Sequence, residues 1–366
     1  MTRPIRAEFS ASALLHNYNF AKRLAPQSKV FAVVKANAYG HGVERVMRAL
    51  PEADAFATLE LDSAIGLRKL GVEQPILMLE GLFEKDEIPY YCQHQLMMSV
   101  HNDLQMEMLT AQKPSIPLSV FLKMNSGMNR LGFTPQRYGA EVHKAQDMQT
   151  KGLIADLVLM THFAGADGPE GIEAALKLFL DTIYAAKAST LPRSVANSAA
   201  TLRFPEAHFN YVRPGIMLYG SSPFSDHSAA ALGLKPVMTL RSEIIGEQTL
   251  QAGDRVGYGG TFTAKRRMRI GIVACGYADG YPRHAPGHYD QGTPILVGGK
   301  RTRTVGRVSM DMLVADITDM PHVHIGAPVT LWGEGLSADE VAHASGTVAY
   351  ELFCAVTSRV KMVDVD

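Results

Sequence analysis

A chain of 366 residues exceeds the usual single-domain size, so two domains with a large core are expected. Its 36 lysines and arginines balance 36 aspartates and glutamates, which removes charge as an argument for nucleic acid or an anionic membrane and favours a small-molecule task. Cys92, Cys275 and Cys354 are too few and too far apart for a disulfide framework or a Cys-x-x-Cys metal site, and no signal-peptide core or run of ~20 apolar residues occurs, so a cytoplasmic protein off the membrane is expected.

The chain opens with a helix-like pattern at 13–24. An apolar run, Val30-Phe31-Ala32-Val33-Val34, then stops at Lys35 and is followed by Ala36-Asn37-Ala38-Tyr39-Gly40-His41-Gly42. The β-branched residues predict a buried strand, and the two glycines predict the turn that ends it. Further strands are predicted at 55–59, 76–79, 97–100, 119–124, 157–161, 194–196 and 211–213, with helices at 61–70, 136–146 and 172–186 among them. Strands alternating with helices specify βα units around a parallel sheet, and about eight strands suits a TIM-type (β/α)8 barrel. A doubly wound open sheet fits the same alternation with fewer strands. The helix ahead of the first strand is odd, because an ideal barrel begins with a strand.

From about residue 242 the pattern becomes β-rich, with strands predicted at 244–248, 269–273, 293–297, 302–307, 313–317 and 328–332 and a late helix at 338–344. This predicts an α/β chain in which the barrel, residues 1–233, is followed by a C-terminal, mostly antiparallel β domain, residues 234–366. The boundary falls after Ser221-Ser222-Pro223.

Barrel chemistry sits at the C-terminal ends of the strands. Lys35 and then Tyr39 follow the first strand. Lys123 lies inside the fifth, with Arg130 beyond a glycine turn; His162 follows the sixth, Asn197-Ser198 the seventh, and Arg213-Pro214-Gly215-Ile216 the eighth. An amine at the mouth of a buried strand suits imine chemistry, because desolvation leaves more of it neutral and nucleophilic. Each residue also has a plainer explanation: a solvated strand-end lysine, a core histidine, an ordinary helix cap. Their convergence on one end argues for a pocket. Ser198 and the N–H groups of Gly215 and Ile216 suit a phosphate, and a phosphate-bearing cofactor beside a lysine suggests pyridoxal 5'-phosphate.

Other signals are weaker. Gly333-Glu334-Gly335-Leu336-Ser337-Ala338 imitates a dinucleotide loop but leaves no room for a βαβ unit, so a turn and helix cap are expected. His322 and His324 have metal-like spacing without further ligands, so no metal is expected, and Met124 and Met128 read as packing residues.

The chain resembles bacterial alanine racemases, pyridoxal-phosphate enzymes built from a barrel plus a β domain. The resemblance runs over essentially the whole chain and rests on seven stretches in order. They are Ala32-Val33-Val34-Lys35-Ala36-Asn37-Ala38-Tyr39-Gly40-His41-Gly42, Lys123-Met124-Asn125-Ser126-Gly127-Met128-Asn129-Arg130-Leu131-Gly132-Phe133, Thr161-His162-Phe163-Ala164, Val212-Arg213-Pro214-Gly215-Ile216, Val256-Gly257-Tyr258-Gly259, Gly276-Tyr277-Ala278-Asp279-Gly280 and Gly306-Arg307-Val308-Ser309-Met310-Asp311.

The resemblance implies that Lys35 carries the cofactor and is the base acting on D-alanine, while Tyr258 is the base acting on L-alanine. Inverting a carbon centre needs a proton removed from one face and returned to the other. It further implies that His162 bonds to Tyr258 and Arg213, and that Arg213 faces the pyridine nitrogen, where a guanidinium is a poor proton source and weakens the ring as an electron sink. Arg130 would hold the substrate carboxylate, and Lys123 matches a lysine often carbamylated in the family. Tyr39, Ser198, Gly215, Ile216 and Tyr350, with Asn197 beside them, match the phosphate cradle; the Met310 backbone matches a substrate contact, and Tyr277 the access route. Because Tyr258, Tyr277 and Met310 lie in the β domain, the family implies a homodimer with shared active sites. A broader-specificity racemase is the nearest alternative. A fold-related basic amino-acid decarboxylase would carry an acidic residue where Arg213 stands, and a non-catalytic carrier would lack the second domain.

Overall fold

The eight apolar runs of the first two thirds become eight parallel strands that close on themselves: Lys29–Val33, Ala55–Thr58, Ile76–Met78, Leu96–Val100, Leu118–Lys123, Ile154–Met160, Arg193–Ser194 and Tyr211–Val212. In this computed structural model, which describes residues 3–285 and 292–366, closure is made by Lys29 and Val30 pairing with Tyr211 and Val212. A closed barrel excludes the open doubly wound sheet. The strands read as unbroken apolar runs because helices cover their outer faces and side chains fill the interior. Inside, the Phe31 ring meets those of Phe121 and Tyr211 edge to face, and the latter two are tilted against each other, with centroids 5.4 to 5.8 Å apart. The sixth strand starts three residues before its predicted position because Ala155 and Asp156 face solvent and interrupt the apolar signal.

The odd first helix, Ala11–Leu24, is capped by the Ser10 side chain and preceded by a strand, Arg6–Phe9, that joins the other sheet. There it runs antiparallel to Met238–Leu250 and parallel to Lys361–Asp364. The start and end of the chain are thus stitched together in the second sheet.

That sheet is organised by the 13-residue strand Met238–Leu250. A register shift between Ile244 and Gly246 divides it: one half pairs with Arg6–Phe9 and Pro328–Trp332, the other with Met268–Val273, which in turn holds Leu313–Asp316. Pro294–Val297 and Lys300–Arg303 extend the Pro328–Trp332 edge. The strand predicted at 302–307 is therefore Lys300–Arg303, with Thr304 making a single bridge to Ala315 and Gly306 (φ 69°) ending the run. A short hairpin, Arg255–Val256 with Phe262–Thr263, stands on its own small core of Val256, Phe262, Met268, Ile270 and Val305.

Helix Ala338–Ala344 falls where predicted, capped by Ser337, and the glycine-rich stretch before it is a tight turn closed by a Gly333–Leu336 bridge. A second late helix, Ala349–Ala355, carries Tyr350. His322 and His324 are exposed, and the described residues contain no group of three or more metal-ligating side chains. No helix among them is long and apolar enough to cross a membrane.

Candidate active site

Lys35 stands at the end of the first barrel strand, and the backbone beyond it is unusual: Ala36, Asn37, Ala38 and Tyr39 all have positive φ, between 51° and 55°. Left-handed backbone costs a residue with a Cβ about 1–2 kcal/mol, so four in a row persist only where the surroundings hold them. His41 does this. Its Nδ1–H donates to the carbonyls of Ala38 (3.1 Å) and Tyr39 (2.9 Å), and its buried ring lies between Tyr219 and Phe353. Burial pushes His41 down to about 4, so it stays neutral with Nδ1 as the donor. Gly40 closes the turn at φ 76°, and a Cβ there would meet the Phe353 carbonyl oxygen at 2.1 Å. The turn after Lys35 is thereby keyed to helix Ala349–Ala355 of the second domain.

Around the barrel mouth the positive charges gather. Burial, then the Arg130 guanidinium, lowers the Lys35 ammonium below the usual lysine range, opposed by Glu80 and Glu60. Lys123 is buried, and desolvation with Arg213, Arg130 and Lys35 pushes it down to about 8. His162 is held down to about 3 by burial and the same cations, and is a neutral imidazole. Arg213 is buried; one guanidinium nitrogen donates to Ser194 Oγ and the other to the Thr161 carbonyl at 2.8 Å, which fixes its plane beside His162. Desolvation lowers Arg213 to about 10, still charged at neutral pH. Arg130 rides on a loop wound by the Asn125 side chain, which accepts from the N–H groups of Gly127 and Asn129. Arg130 and Arg213, joined by Lys35 and Lys123 whenever these are protonated, outweigh the two carboxylates and make this a site for an anionic ligand.

The phosphate-cradle candidates also assemble. The N–H groups of Gly215 (2.8 Å) and Met217 (3.4 Å) both donate to buried Ser198 Oγ. The Tyr39 hydroxyl lies 2.5 Å from where a Gly215 Cβ would sit, so only glycine leaves room there. Tyr39 stacks on Tyr219 at 4.8 Å, and Tyr350 stands 5.9 Å from Tyr39. Ile216 is buried beside them. Asn197 takes the bland role: its side chain caps helix Ser198–Arg203 and donates to the Phe163 carbonyl. An amine with a lowered pKa, a hydroxyl-and-amide cradle and surplus positive charge are a donor set that fits pyridoxal phosphate.

Tyr258, Tyr277 and Met310 form a separate platform on the second domain. The Tyr277 N–H donates to the Ser309 carbonyl and the Ala278 N–H to the Met310 carbonyl, while Gly257 and Gly259 of the Tyr258 turn pack on Arg307. Tyr258 is 70 % exposed, Met310 52 % and Tyr277 38 %. The charged neighbours that shift Lys35 and His162 include nothing from this platform. Among the described residues Tyr258 makes no hydrogen bond to His162.

Three strand ends escaped the sequence reading. Glu60, Glu80 and His101 follow the second, third and fourth strands, and the two carboxylates are the negative counterweights to Lys35. The rule that picked out Lys35, applied to every strand, reaches them as well.

Known proteins match this arrangement throughout. The family model described as the alanine racemase N-terminal domain matches residues 9–223, and that of the alanine racemase C-terminal domain matches 237–364. The chain is 52 % identical over 366 residues to the alanine racemase of Nitrosospira multiformis, covering 99 % of this chain and 100 % of that one. It is also 52 % identical over 365 residues to the catabolic alanine racemase of Klebsiella aerogenes, covering 99 % of each. The crystal structure of the biosynthetic alanine racemase from Pseudomonas aeruginosa superposes with a TM-score of 0.93 at 46 % identity, covering all of both chains. With both family models in order along one barrel and one β domain, this chain belongs to the alanine racemase family.

Proposed function

We propose that this protein interconverts L- and D-alanine with pyridoxal phosphate, using Lys35 and Tyr258 as bases on opposite faces of the substrate. The observation that carries the proposal is the barrel-mouth cluster, in which the Lys35 amine lies among Lys123, Arg130 and Arg213 beside the Ser198–Gly215 cradle. Pyridoxal phosphate, when bound, supplies the electron-poor ring that makes the substrate's α-proton acidic. Lys35 would hold it, with its phosphate at Tyr39, Ser198, Gly215, Ile216 and Tyr350.

Each protein group then has a defined task. Lys35, its ammonium form disfavoured by burial, accepts or returns a proton at Nζ on the D-alanine face. Arg213, still charged at neutral pH, keeps its own protons and would be a poor proton source for the cofactor's pyridine nitrogen, which would weaken the ring as an electron sink. Arg130, with no hydrogen-bonding or ion-pair partner among the described residues, is available to bind the substrate carboxylate through its fork. Lys123, held down to about 8, presents the neutral amine that adds to carbon dioxide, losing a proton and becoming an anion that steadies Arg130.

The exposed platform of Tyr258, Tyr277 and Met310 supports a homodimer in which residues 234–366 of one copy complete the site held by residues 1–233 of the other. The three unpaired cysteines support work in a reducing cytoplasm. The test is α-proton exchange in deuterated water, started separately from L- and D-alanine. Tyr258→Phe should lose exchange from L-alanine by about 100-fold or more, a general base's usual share, while exchange from D-alanine persists. Equal, mild losses for the two enantiomers would overturn the two-base assignment.

A further inference from the structure

We propose that Arg255 is a positioning residue for Tyr258, locking the turn that carries the phenol; this rests on the assignment of Tyr258 as a base. The turn Tyr258–Gly260 sits at the tip of a hairpin whose ladder consists of two residue pairs, Arg255 with Thr263 and Val256 with Phe262. Gly257 (φ 69°), Gly259 (φ 70°) and Gly260 (φ 53°) surround Tyr258 with left-handed backbone. Three glycines in five residues leave a loop many conformations, and two ladder pairs cannot select among them.

The Arg255 guanidinium supplies the missing constraint. Its Nε donates to the Gly260 carbonyl (3.2 Å) and its Nη2 to the Gly259 carbonyl (3.0 Å), bridging the carbonyls of the two residues that follow Tyr258. It fills the space that a side chain at 260 would need: a Cβ on Gly260 would lie 2.4 Å from Arg255 Nε. Arg307 Nη1 comes within 3.4 Å of a Cβ position on Gly259. A planar fork holding two carbonyls at once is something a lysine cannot reproduce. Arg255 itself is exposed, so replacing it opens no core.

The experiment compares the cofactor-loaded wild type with Arg255→Ala, Arg255→Lys, Gly260→Ala and Tyr258→Phe. α-Proton exchange from L-alanine should fall about tenfold or more in the first three, the scale of a base misplaced by a fraction of an ångström, and exchange from D-alanine by less than about threefold. In cofactor-free protein, amide hydrogen exchange across 257–261 should accelerate in Arg255→Ala and stay unchanged in the barrel. The Gly260→Ala variant reaches the same end by displacing the guanidinium rather than deleting it. Equal losses for the two enantiomers in Arg255→Ala, or unaltered protection across 257–261, overturn the clamp. If Tyr258→Phe also shows no preference for L-alanine, the two-base assignment has fallen; if Tyr258→Phe keeps that preference, only the role of Arg255 has.

Discussion

Lys123 lies within a cluster of like charges, and its proton is the one most easily surrendered. Burial and the fields of Arg213, Arg130 and Lys35 hold it down to about 8 in the folded protein, against about 10.4 in an unfolded chain. Between those values the unfolded chain binds more protons than the native one, so the free energy of unfolding rises with pH across that window. Below about pH 8 both states are protonated and the full cost of the buried charge is felt. Buried Cys275, Tyr39, Tyr138 and Tyr281, held above their ordinary ranges by desolvation, push the other way at high pH in wild type and variant alike, so the Lys123 contribution is read by difference: from pH 8 to 10 the change in unfolding temperature of cofactor-free protein, in buffer free of carbon dioxide, should be more positive in the wild type than in Lys123→Met. Lys35, lowered in the same direction, leaves some slope behind. A pH dependence that Lys123→Met leaves unchanged, or makes more positive, would contradict the electrostatic account. At this scale most of the site was legible, because Lys35, Lys123, His162 and Arg213 each end or follow an apolar run. Asn197 reads two ways because a residue that caps a helix and one that binds a ligand occupy the same place in a βα unit, and here its side chain caps helix Ser198–Arg203.

Among the elements, the left-handed turn after Lys35 and helix Ala349–Ala355 depend on each other through Gly40. A Cβ on Gly40 would meet backbone, the Phe353 carbonyl at 2.1 Å, and backbone cannot swing away. Gly40→Ala should cost about 2–4 kcal/mol, the range of a strained conformation plus a core collision, and should weaken pyridoxal-phosphate binding because Tyr39 and Tyr350 are carried on the separated pieces. Gly71→Ala is the control: its φ is 84° but nothing lies within 4 Å, so only the conformational cost of about 1 kcal/mol applies. Denaturant titration with cofactor titration checks both, and equal losses in the two variants would show that the collision is not the cause. The helix at 349–355 was not legible because its seven residues are too few for a periodicity to emerge and Val348 offers no capping side chain, whereas the equally short helix at 338–344 is announced by Ser337 and the acidic pair Asp339-Glu340. Strand Arg6–Phe9 was missed for a related reason: four residues alternate too briefly, and its partners lie more than 200 residues away in sequence.

For the whole molecule, the decisive feature is that the candidate residues are divided between two domains. The barrel mouth holds an amine, a cradle and surplus cations; the β domain displays a tyrosine and a methionine backbone on an exposed face; the electrostatic neighbours of Lys35 and His162 include no residue of that face. No periodicity in a sequence reports which copy of a chain completes which pocket, so the expectation of sites shared between two copies comes from the family resemblance and not from pattern. It has a quantitative consequence. If a site takes Lys35 from one copy and Tyr258 from the other, a mixed dimer of Lys35→Ala with Tyr258→Phe has one site with both residues damaged and one with both intact. Random pairing of equal amounts makes half the dimers mixed, so co-expression of two inactive variants should restore about one quarter of wild-type racemisation. Each variant alone forms only damaged sites. Sites completed within a single chain would give no restoration at all, because every chain in the mixture would lack one of the two bases. Measuring racemisation of the co-expressed pair, beside each variant purified alone and a sedimentation measurement of molar mass, separates the two architectures.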